Sequence, residues 1–423
     1  MNFNTMLTRL GMDPDNFINR ENEPIKTEEG FIYEVYQRTD IRHCPHCGSQ
    51  SAHIQDYDWI EINCSETDYI RDILRIRKVR FKCTECHKTF TPSVQGIQRY
   101  SKISSQTLQL ILNDFSKMMS FSQIAERYHL TPARILQIFD ENVPYVPRKP
   151  LPRTLCIDEI KFDEEYDQKY CCVLYDFENR QIVDIIKNRQ LPYLEEYFSL
   201  IPQKERDRVK FFVSDMHDPY ATVARKYLKS ATHIIDMFHV VRQLTQAISK
   251  IRIEVMKTQP KNSIYYRFMK KHWKLFLCRK EDIPDKFYSP KGIISSYHFT
   301  DLVFSCIKLN RDLLSAYNIL QDLFHYSEKR NYNDALNFIS YISDRLVSSN
   351  HSLLIPVGKT YDKWKFGIAS AFSRSQNSSR ITNAIAESIN NHLKTIIKFA
   401  YGYHNFPRFR NRALLILSYK KTR

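Results

Sequence analysis

Two acidic residues stand in an otherwise apolar stretch of the sequence. Residues 154–162 alternate and are rich in apolar side chains, as a buried strand is, yet Asp158 and Glu159 lie in the middle. A carboxylate on a core strand is costly unless something offsets its charge, and a metal ion would do so. Asp158 is therefore a candidate metal ligand. The alternative is a strand end with one solvated aspartate.

Four of the ten cysteines have metal-ligand spacing. Cys44 and Cys47 form one CxxC pair, and Cys83 and Cys86 form a second pair about 35 residues later. A two-residue gap lets both thiolates of a pair reach one ion, and two such pairs are typical of a tetrahedral structural Zn²⁺. Strand-like segments lie between the pairs, which predicts a four-Cys zinc ribbon over residues 41–95. Two unrelated thiol pairs are the alternative.

Composition limits the classes of partner. The 423 residues contain 63 Lys and Arg against 47 Asp and Glu, so the net charge is +16. Such an excess indicates a polyanion, most simply DNA. No apolar run reaches the roughly 18 residues that a membrane helix needs, and the N-terminus lacks a signal-peptide pattern. We therefore expect reduced cysteines, a cytoplasmic, nucleoid-associated protein and no membrane partner. The chain has no GxxxxGK[ST] motif, so no nucleotide cofactor is predicted.

Three short helices are predicted over residues 100–145. Ser120 caps the second helix; Thr131 caps the third, and Pro132 takes its first helical position. A short helix, a tight turn and a capped helix form the helix-turn-helix pattern, which would point Thr131, Arg134 and Gln137 toward DNA. A helical linker bundle is the alternative. Residues 1–40 are predicted to be a loosely ordered lead-in, and the prolines of residues 144–152 mark a domain boundary.

The elements that must position Asp158 follow that boundary. Residues 153–245 predict the order βββαβαβα, which is that of a ribonuclease-H-like α/β core. Asp158 lies in the middle of the first strand and Asp215 at the end of the fourth, where the two can lie side by side. Two adjacent carboxylates repel unless a divalent cation sits between them.

At this point a family resemblance becomes visible. It is carried by Asp158, the segment Val213-Ser214-Asp215, the segment Ile235-Asp236-Met237-Phe238-His239 and the four-Cys ribbon. Together they resemble the DDE transposases of bacterial insertion sequences, in particular the ISL-three (ISL3) family. The resemblance runs from about Cys44 to the end of the chain.

The resemblance implies a third acid on a helix near the C-terminus. Glu387 fits the pattern N-x-x-x-E-x-x-N-N with Asn383, Asn390 and Asn391, although Ser388 stands where the family often has glycine. An exposed helical glutamate is the alternative. Asp158, Asp215 and Glu387 would then hold two Mg²⁺ ions, or Mn²⁺, while Asp236 and His239 support the site. For His239, a place in the core is the alternative.

The resemblance also implies the remaining organisation. Residues 246–375 would be an all-helical insertion, and residues 376–423 would be the C-terminal helical part of the catalytic core. Arg408, Arg410 and Arg412 are candidate phosphate contacts, with a solvated basic tail as the alternative.

We therefore predict a DNA transposase that binds terminal inverted repeats and catalyses metal-dependent DNA cleavage and strand transfer. Its partners would be the double-stranded DNA of the element ends and of the target, and joining two ends implies a homodimer on DNA. Two alternatives are a catalytically silent DNA-binding protein, either a repressor or a domesticated transposase, and a ribonuclease-H-like nuclease without strand transfer.

Overall fold

The computed structural model describes the chain except for residues 1–2, 21–22, 29, 39, 41–42, 64–70, 95, 98–101, 163–168, 290–295, 327–330, 350, 373–380, 382–383, 401 and 420–423. Residues 1–147 and 395–423 form one compact unit, and residues 148–394 form a second. The boundary at Pro147 falls within the proline-rich segment that the sequence indicates.

The first unit begins with a six-stranded sheet. Its elements are helix α1 (Phe3–Arg9) and strands β1 (Phe17–Ile18), β2 (Ile25–Lys26), β3 (Gly30–Gln37), β4 (Ala52–Asn63), β5 (Arg71–Cys83) and β6 (Thr89–Phe90). Strands β4 and β5 form a long antiparallel ribbon, and β3 runs parallel to β5 on its other side. The ribbon is long enough to carry a packed core near one end and the four cysteines near the other.

The predicted loosely ordered lead-in is wrong for the described residues. Phe3, Met6 and Leu7 of α1 are buried, and they pack in one cluster with Val35 of β3 and Leu74 of β5. A buried cluster of this kind gives the apolar side chains of α1 and β3 a place in the hydrophobic core. The acidic, polar composition of the segment concealed the helical spacing of these apolar side chains.

Three helices follow, as the sequence predicts: α2 (Ser105–Asp114), α3 (Phe121–Arg127) and α4 (Pro132–Asn142). Ser120 and Gln123 form a capping box at the start of α3. The Thr131 side chain accepts a hydrogen bond from the Arg134 amide and so caps α4. Such caps satisfy amide groups that a helix start leaves without partners, which fixes where α3 and α4 begin.

The second unit is built on a five-stranded mixed sheet. The strands are β7 (Thr154–Lys161), β8 (Tyr170–Asp176), β9 (Gln181–Ile186), β10 (Phe211–Ser214) and β11 (Thr232–Ile235), and they are joined or flanked by helices α5 (Leu191–Ser199), α6 (Gln203–Arg206) and α7 (Asp218–Tyr227). The spatial order is β11-β10-β7-β8-β9. Strands β7, β8 and β9 form an antiparallel meander, whereas β10 and β11 run parallel to β7. Apart from the short α6, the elements follow the predicted order.

A large, mainly helical region follows the sheet. It contains α8 (Met237–Thr258), α9 (Ile264–Lys271), β12 (Phe287–Tyr288), β13 (Tyr297–His298), α10 (Phe299–Ile307), α11 (Arg311–Tyr326), α12 (Tyr332–Ser348) and α13 (Ile355–Ser370). The strands β12 and β13 pair antiparallel, so the prediction of an all-helical insertion is wrong in this detail. Gly358 lets α13 approach α12, because a Cβ atom there would lie 2.8 Å from the Ser343 carbonyl oxygen.

The chain ends with α14 (Ala384–Phe399) and α15 (Phe406–Tyr419). Residues 395–423 belong to the first unit, whereas α14 up to Lys394 belongs to the second. Leu415 of α15 packs into the hydrophobic cluster of α2, α3 and α4. Among the described residues, no helix is long and apolar enough to cross a membrane.

Candidate functional site

Three aspartates lie in a row across the sheet of the second unit. Val213 of β10 is the partner of Cys156 on β7, and Ser214 is the partner of Ile235 on β11. Continuing these registers by two residues and by one residue places Asp215 beside Asp158 and beside Asp236. The bond from the Asp236 amide to the Ser214 carbonyl, at 2.9 Å, extends the β10–β11 pairing. Neighbouring strands are about 4.8 Å apart, so the three aspartates lie close together where β10 and β11 end beside the middle of β7.

The surroundings of these aspartates disfavour negative charge. Burial raises the pKa of Asp215 to about 7, and the nearby Glu159 and Asp158 carboxylates add to the rise. Burial likewise raises the pKa of Asp158. Within the described part of the chain, Asp215 Oδ1 is buried and has no hydrogen-bond partner. A divalent cation would supply both the missing partner and the missing charge.

Hydrogen bonds from neighbouring side chains hold two of the acids in place. Asp158 Oδ2 accepts a hydrogen bond of 2.8 Å from Asn390 Nδ2 of α14. Glu159 accepts hydrogen bonds from Arg189, at 2.8 Å, and from the Tyr220 hydroxyl, at 3.0 Å. No sequence pattern predicts the roles of Arg189 and Tyr220, since each reaches Glu159 from a different part of the chain. Asn390 stands in the recognised motif, but the motif does not say what it contacts.

Glu387 lies in the first turn of α14 and its side chain is exposed. It precedes Asn390 by three residues, so both lie on nearly the same side of the helix. Among the described residues, however, only the four cysteines form a group of three or more metal-binding side chains within 4.8 Å. The structure thus brings Asp158 and Asp215 together, but it does not gather Glu387 into a closed cluster with them. Asn383 lies outside the described residues.

Asp236, the third aspartate of the row, lies close to His239. Asp236 is the cap of α8, and its Oδ1 accepts a hydrogen bond of 3.2 Å from the Phe238 amide. His239 Nε2 lies 3.9 Å from Asp236 Oδ2, with 24% of its side chain exposed. A helix cap explains Asp236 without any role in catalysis. The partial exposure of His239 argues against the alternative of a core histidine.

The four predicted zinc ligands converge in the first unit. The Sγ atoms of Cys44 and Cys86 are 3.6 Å apart, as are those of Cys47 and Cys83, and all four lie within 4.8 Å of one another. Tetrahedral Zn²⁺ with bonds of about 2.3 Å places its sulfur ligands about 3.8 Å apart. The Cys86 amide N–H donates to Cys83 and helps to lower the pKa of the Cys83 thiol to about 7. The donor set and its spacing therefore fit structural Zn²⁺.

A sequence model of a transposase family, that of the ISL3-type DDE transposases, matches residues 155–413. The chain belongs to this family of transposases. The matched residues include Asp158, Asp215 and Glu387. The chain is also similar to the transposase for insertion sequence element IS1001 of Bordetella parapertussis, with 20% identity over 373 residues that cover 86% of each chain.

The transposase presents two of the three predicted recognition side chains on the surface of α4. Gln137 is exposed and Arg134 is partly exposed, and both reach toward Glu141: Arg134 at 3.9 Å and Gln137 through a hydrogen bond of 2.7 Å. The Thr131 hydroxyl is engaged in capping α4. Ile135, Ile138 and Phe139 of α4 are buried, as predicted.

The three arginines of α15 have different surroundings. Arg408 forms a two-pronged ion pair with Asp140, with contacts of 2.6 and 2.9 Å. Arg410 donates to the Val146 carbonyl and lies over the Tyr145 ring.

Arg412 is buried, with 1% exposed, and donates to main-chain carbonyls after α2, including that of Met119 at 2.7 Å. A buried guanidinium with these partners is not available to a phosphate. We therefore remove Arg412 from the predicted DNA contacts.

Proposed function

We propose that this ISL3-family transposase binds the terminal inverted repeats of an insertion sequence and catalyses metal-dependent DNA cleavage and strand transfer. The sheet of the second unit would be its ribonuclease-H-like core. The observation that carries the proposal is the closeness of Asp158, in β7, to Asp215, which follows β10, as the register of these parallel strands indicates when it is continued by two residues. These acids are buried and have raised pKa values, and one buried oxygen of Asp215 has no partner among the described residues.

Asp158, Asp215 and Glu387 are the residues that would hold two Mg²⁺ or Mn²⁺ ions. When bound, such a pair of ions activates an oxygen nucleophile and stabilises the leaving oxygen of a phosphodiester. Asp158 and Asp215 are fixed by strands, whereas Glu387 stands on the exposed side of the first turn of α14. We propose that Glu387 turns toward the two aspartates when metal and DNA are present.

DNA recognition would fall to the first unit. The zinc ribbon and the three helices would form its recognition surface, with α3 and α4 as a helix-turn-helix. Arg134 and Gln137 would face the bases or backbone, with Arg408 and Arg410 as further phosphate contacts. Thr131 would act mainly through its cap, which fixes the start of α4. Because transposition joins two element ends, we propose a homodimer on DNA.

A DNA-binding protein without cleavage activity is the second candidate. The observation that favours it is the exposed position of Glu387 outside a closed carboxylate cluster. A single reaction distinguishes the two functions, because binding alone needs none of the three acids.

The test is cleavage of a duplex that carries the element end, with Mg²⁺ or Mn²⁺, by wild type and by the variants Asp158→Ala, Asp215→Ala and Glu387→Ala. Asp362→Ala is the matched control, since Asp362 is an exposed acid of α13 that pairs with Lys365. We expect wild type and the control to cut at the element boundary, and the three variants to bind the duplex without cutting. Binding without cleavage by wild type would favour the second candidate. Normal cleavage by Glu387→Ala would show that Glu387 is not the third catalytic acid.

A further inference from the structure

We infer that Asn390, with its amide held by Tyr175, is a positioning residue for Asp158. Asn390 Nδ2 donates to Asp158 Oδ2 at 2.8 Å, and the Tyr175 hydroxyl donates to Asn390 Oδ1. These three side chains come from α14, β7 and β8, and they form a continuous chain of hydrogen bonds. The inference rests on the proposed function, because it assigns a role at the proposed metal site.

The order of donors in this chain follows from chemistry. An ionised carboxylate can only accept hydrogen bonds, so the Asn390 amide must turn its NH₂ group toward Asp158. The amide oxygen then faces Tyr175, whose hydroxyl can donate to it. The Asp158 carboxylate therefore sets the orientation of the amide, and the Tyr175 hydroxyl supports it by donating to the amide oxygen.

Burial makes this arrangement rigid. Asn390 is 6% exposed and Tyr175 is fully buried between strand neighbours, so water cannot easily replace either partner. Burial also raises the pKa of Tyr175 far above its usual value, which keeps its hydroxyl protonated and able to donate. A buried polar group that loses its partner carries a desolvation cost, and this cost keeps the chain of hydrogen bonds closed.

Two consequences follow for the proposed metal site. The bond occupies Asp158 Oδ2 with a neutral donor and aims the carboxylate, which leaves the other oxygen for a metal ion. It also anchors α14 at Asn390, three residues after Glu387, and so sets which helical face is turned to the sheet. Partners of this kind around metal ligands are typically worth 10- to 100-fold in metal affinity or activity.

The test is a titration of the zinc-loaded, full-length protein with Mn²⁺, monitored by calorimetry and by thermal unfolding. The variants are Asn390→Leu, which is similar in volume and cannot donate, and Tyr175→Phe, which removes only the hydroxyl. Tyr193→Phe and Asn333→Ala are matched controls on the exposed surface of the same unit. We expect Mn²⁺ affinity to fall about tenfold or more in Asn390→Leu and by a smaller factor in Tyr175→Phe, with both controls unchanged.

A pH profile separates positioning from simple packing. The donated bond favours the charged form of Asp158, so its loss should move the acidic limb of Mn²⁺ binding to higher pH. A residue that merely fills space would lower the unfolding temperature without moving this limb. If Asn390→Leu does not fold, Tyr175→Phe carries the test alone. If the variants bind Mn²⁺ with the affinity of wild type, and the acidic limb of their binding lies at the same pH as in wild type, the inference is overturned.

Asp158→Ala distinguishes this failure from a failure of the proposed function. If Asp158→Ala loses Mn²⁺ binding while the Asn390 and Tyr175 variants keep it, the metal site stands and only the positioning role is wrong. If Asp158→Ala binds Mn²⁺ like wild type, the metal site itself is wrong, and the positioning role is refuted with it.

Discussion

Because Arg412 is buried, we predict that it stabilises the first unit and does not contact DNA, in contrast to the expectation from the sequence. Its guanidinium donates to the carbonyls of Met119, at 2.7 Å, and Lys117, at 3.2 Å, and makes a longer contact of 3.5 Å with the Asp114 carbonyl. It also lies over the rings of Phe115 and Phe121, 5.5 and 5.2 Å from their centroids. Arg412→Ala would remove one donor from each of these carbonyls and open a cavity beside both rings, although the Asp114 and Lys117 carbonyls would still accept from the Lys117 and Met119 amides.

The size of the effect follows from these contacts. A hydrogen bond to a charged group contributes roughly 1.5–3 kcal/mol, and the structure shows two such bonds, at 2.7 and 3.2 Å. Part of the gain is offset by removing the guanidinium from water, and this burial lowers the pKa of Arg412 to about 10. We expect Arg412→Ala to destabilise the first unit by about 3–4 kcal/mol, which for a unit of this size is a fall of about 10 °C in unfolding temperature.

The assay is thermal unfolding together with DNA binding at a temperature where every variant is folded. Arg408→Ala is the matched control, because its ion pair with Asp140 is partly exposed and should contribute less than about 1 kcal/mol. Arg412→Ala should lose stability and retain DNA affinity. Arg408→Ala should retain stability and bind DNA more weakly. An Arg412→Ala protein of unchanged stability that binds DNA more weakly would refute the reasoning and restore the phosphate contact.

Three further predictions concern the metal centres and the acids. Removing Zn²⁺ with a chelator, or replacing Cys83 by Ser, should lower the unfolding temperature of the first unit and leave that of the second unit unchanged. Calorimetry that resolves both unfolding transitions measures this. An equal fall in the unfolding temperatures of both units would contradict the prediction. Without added divalent cation, wild type should lose stability relative to Asp215→Asn as pH rises from 4 to 7. The reason is that the Asp215 carboxyl releases its proton near pH 3.8 in the unfolded chain and near pH 7 in the folded chain. A difference in unfolding free energy that does not change with pH would argue against a buried, crowded Asp215 carboxyl. Glu387→Ala should change stability by less than about 0.5 kcal/mol because the side chain is exposed, so a large loss in urea unfolding would show a structural role.

Features that arise from short stretches of chain could be predicted from the sequence alone. CxxC spacing brings two thiolates to one ion within a single turn, so the zinc ligands could be found without the fold. Helix caps such as Ser120 and Thr131 act on amides two or three residues away, and both are where the sequence predicts them. The alternation of apolar residues located strand β7 with Asp158 in it, and the register of the sheet then brought Asp215 beside it.

Contacts between segments that lie far apart in the sequence could be found only in the folded chain. Asn390 and Asp158 are 232 residues apart, so no local pattern could reveal their hydrogen bond. Arg412 looks like a surface cation in a basic segment, yet the carbonyls after α2 enclose it. The sequence around Phe3 does not indicate a folded segment, yet Phe3, Met6 and Leu7 of α1 pack against buried side chains of β3 and β5. In each case the residue is buried or hydrogen-bonded by a segment far away in the sequence. Local composition and spacing cannot predict which distant segment that is.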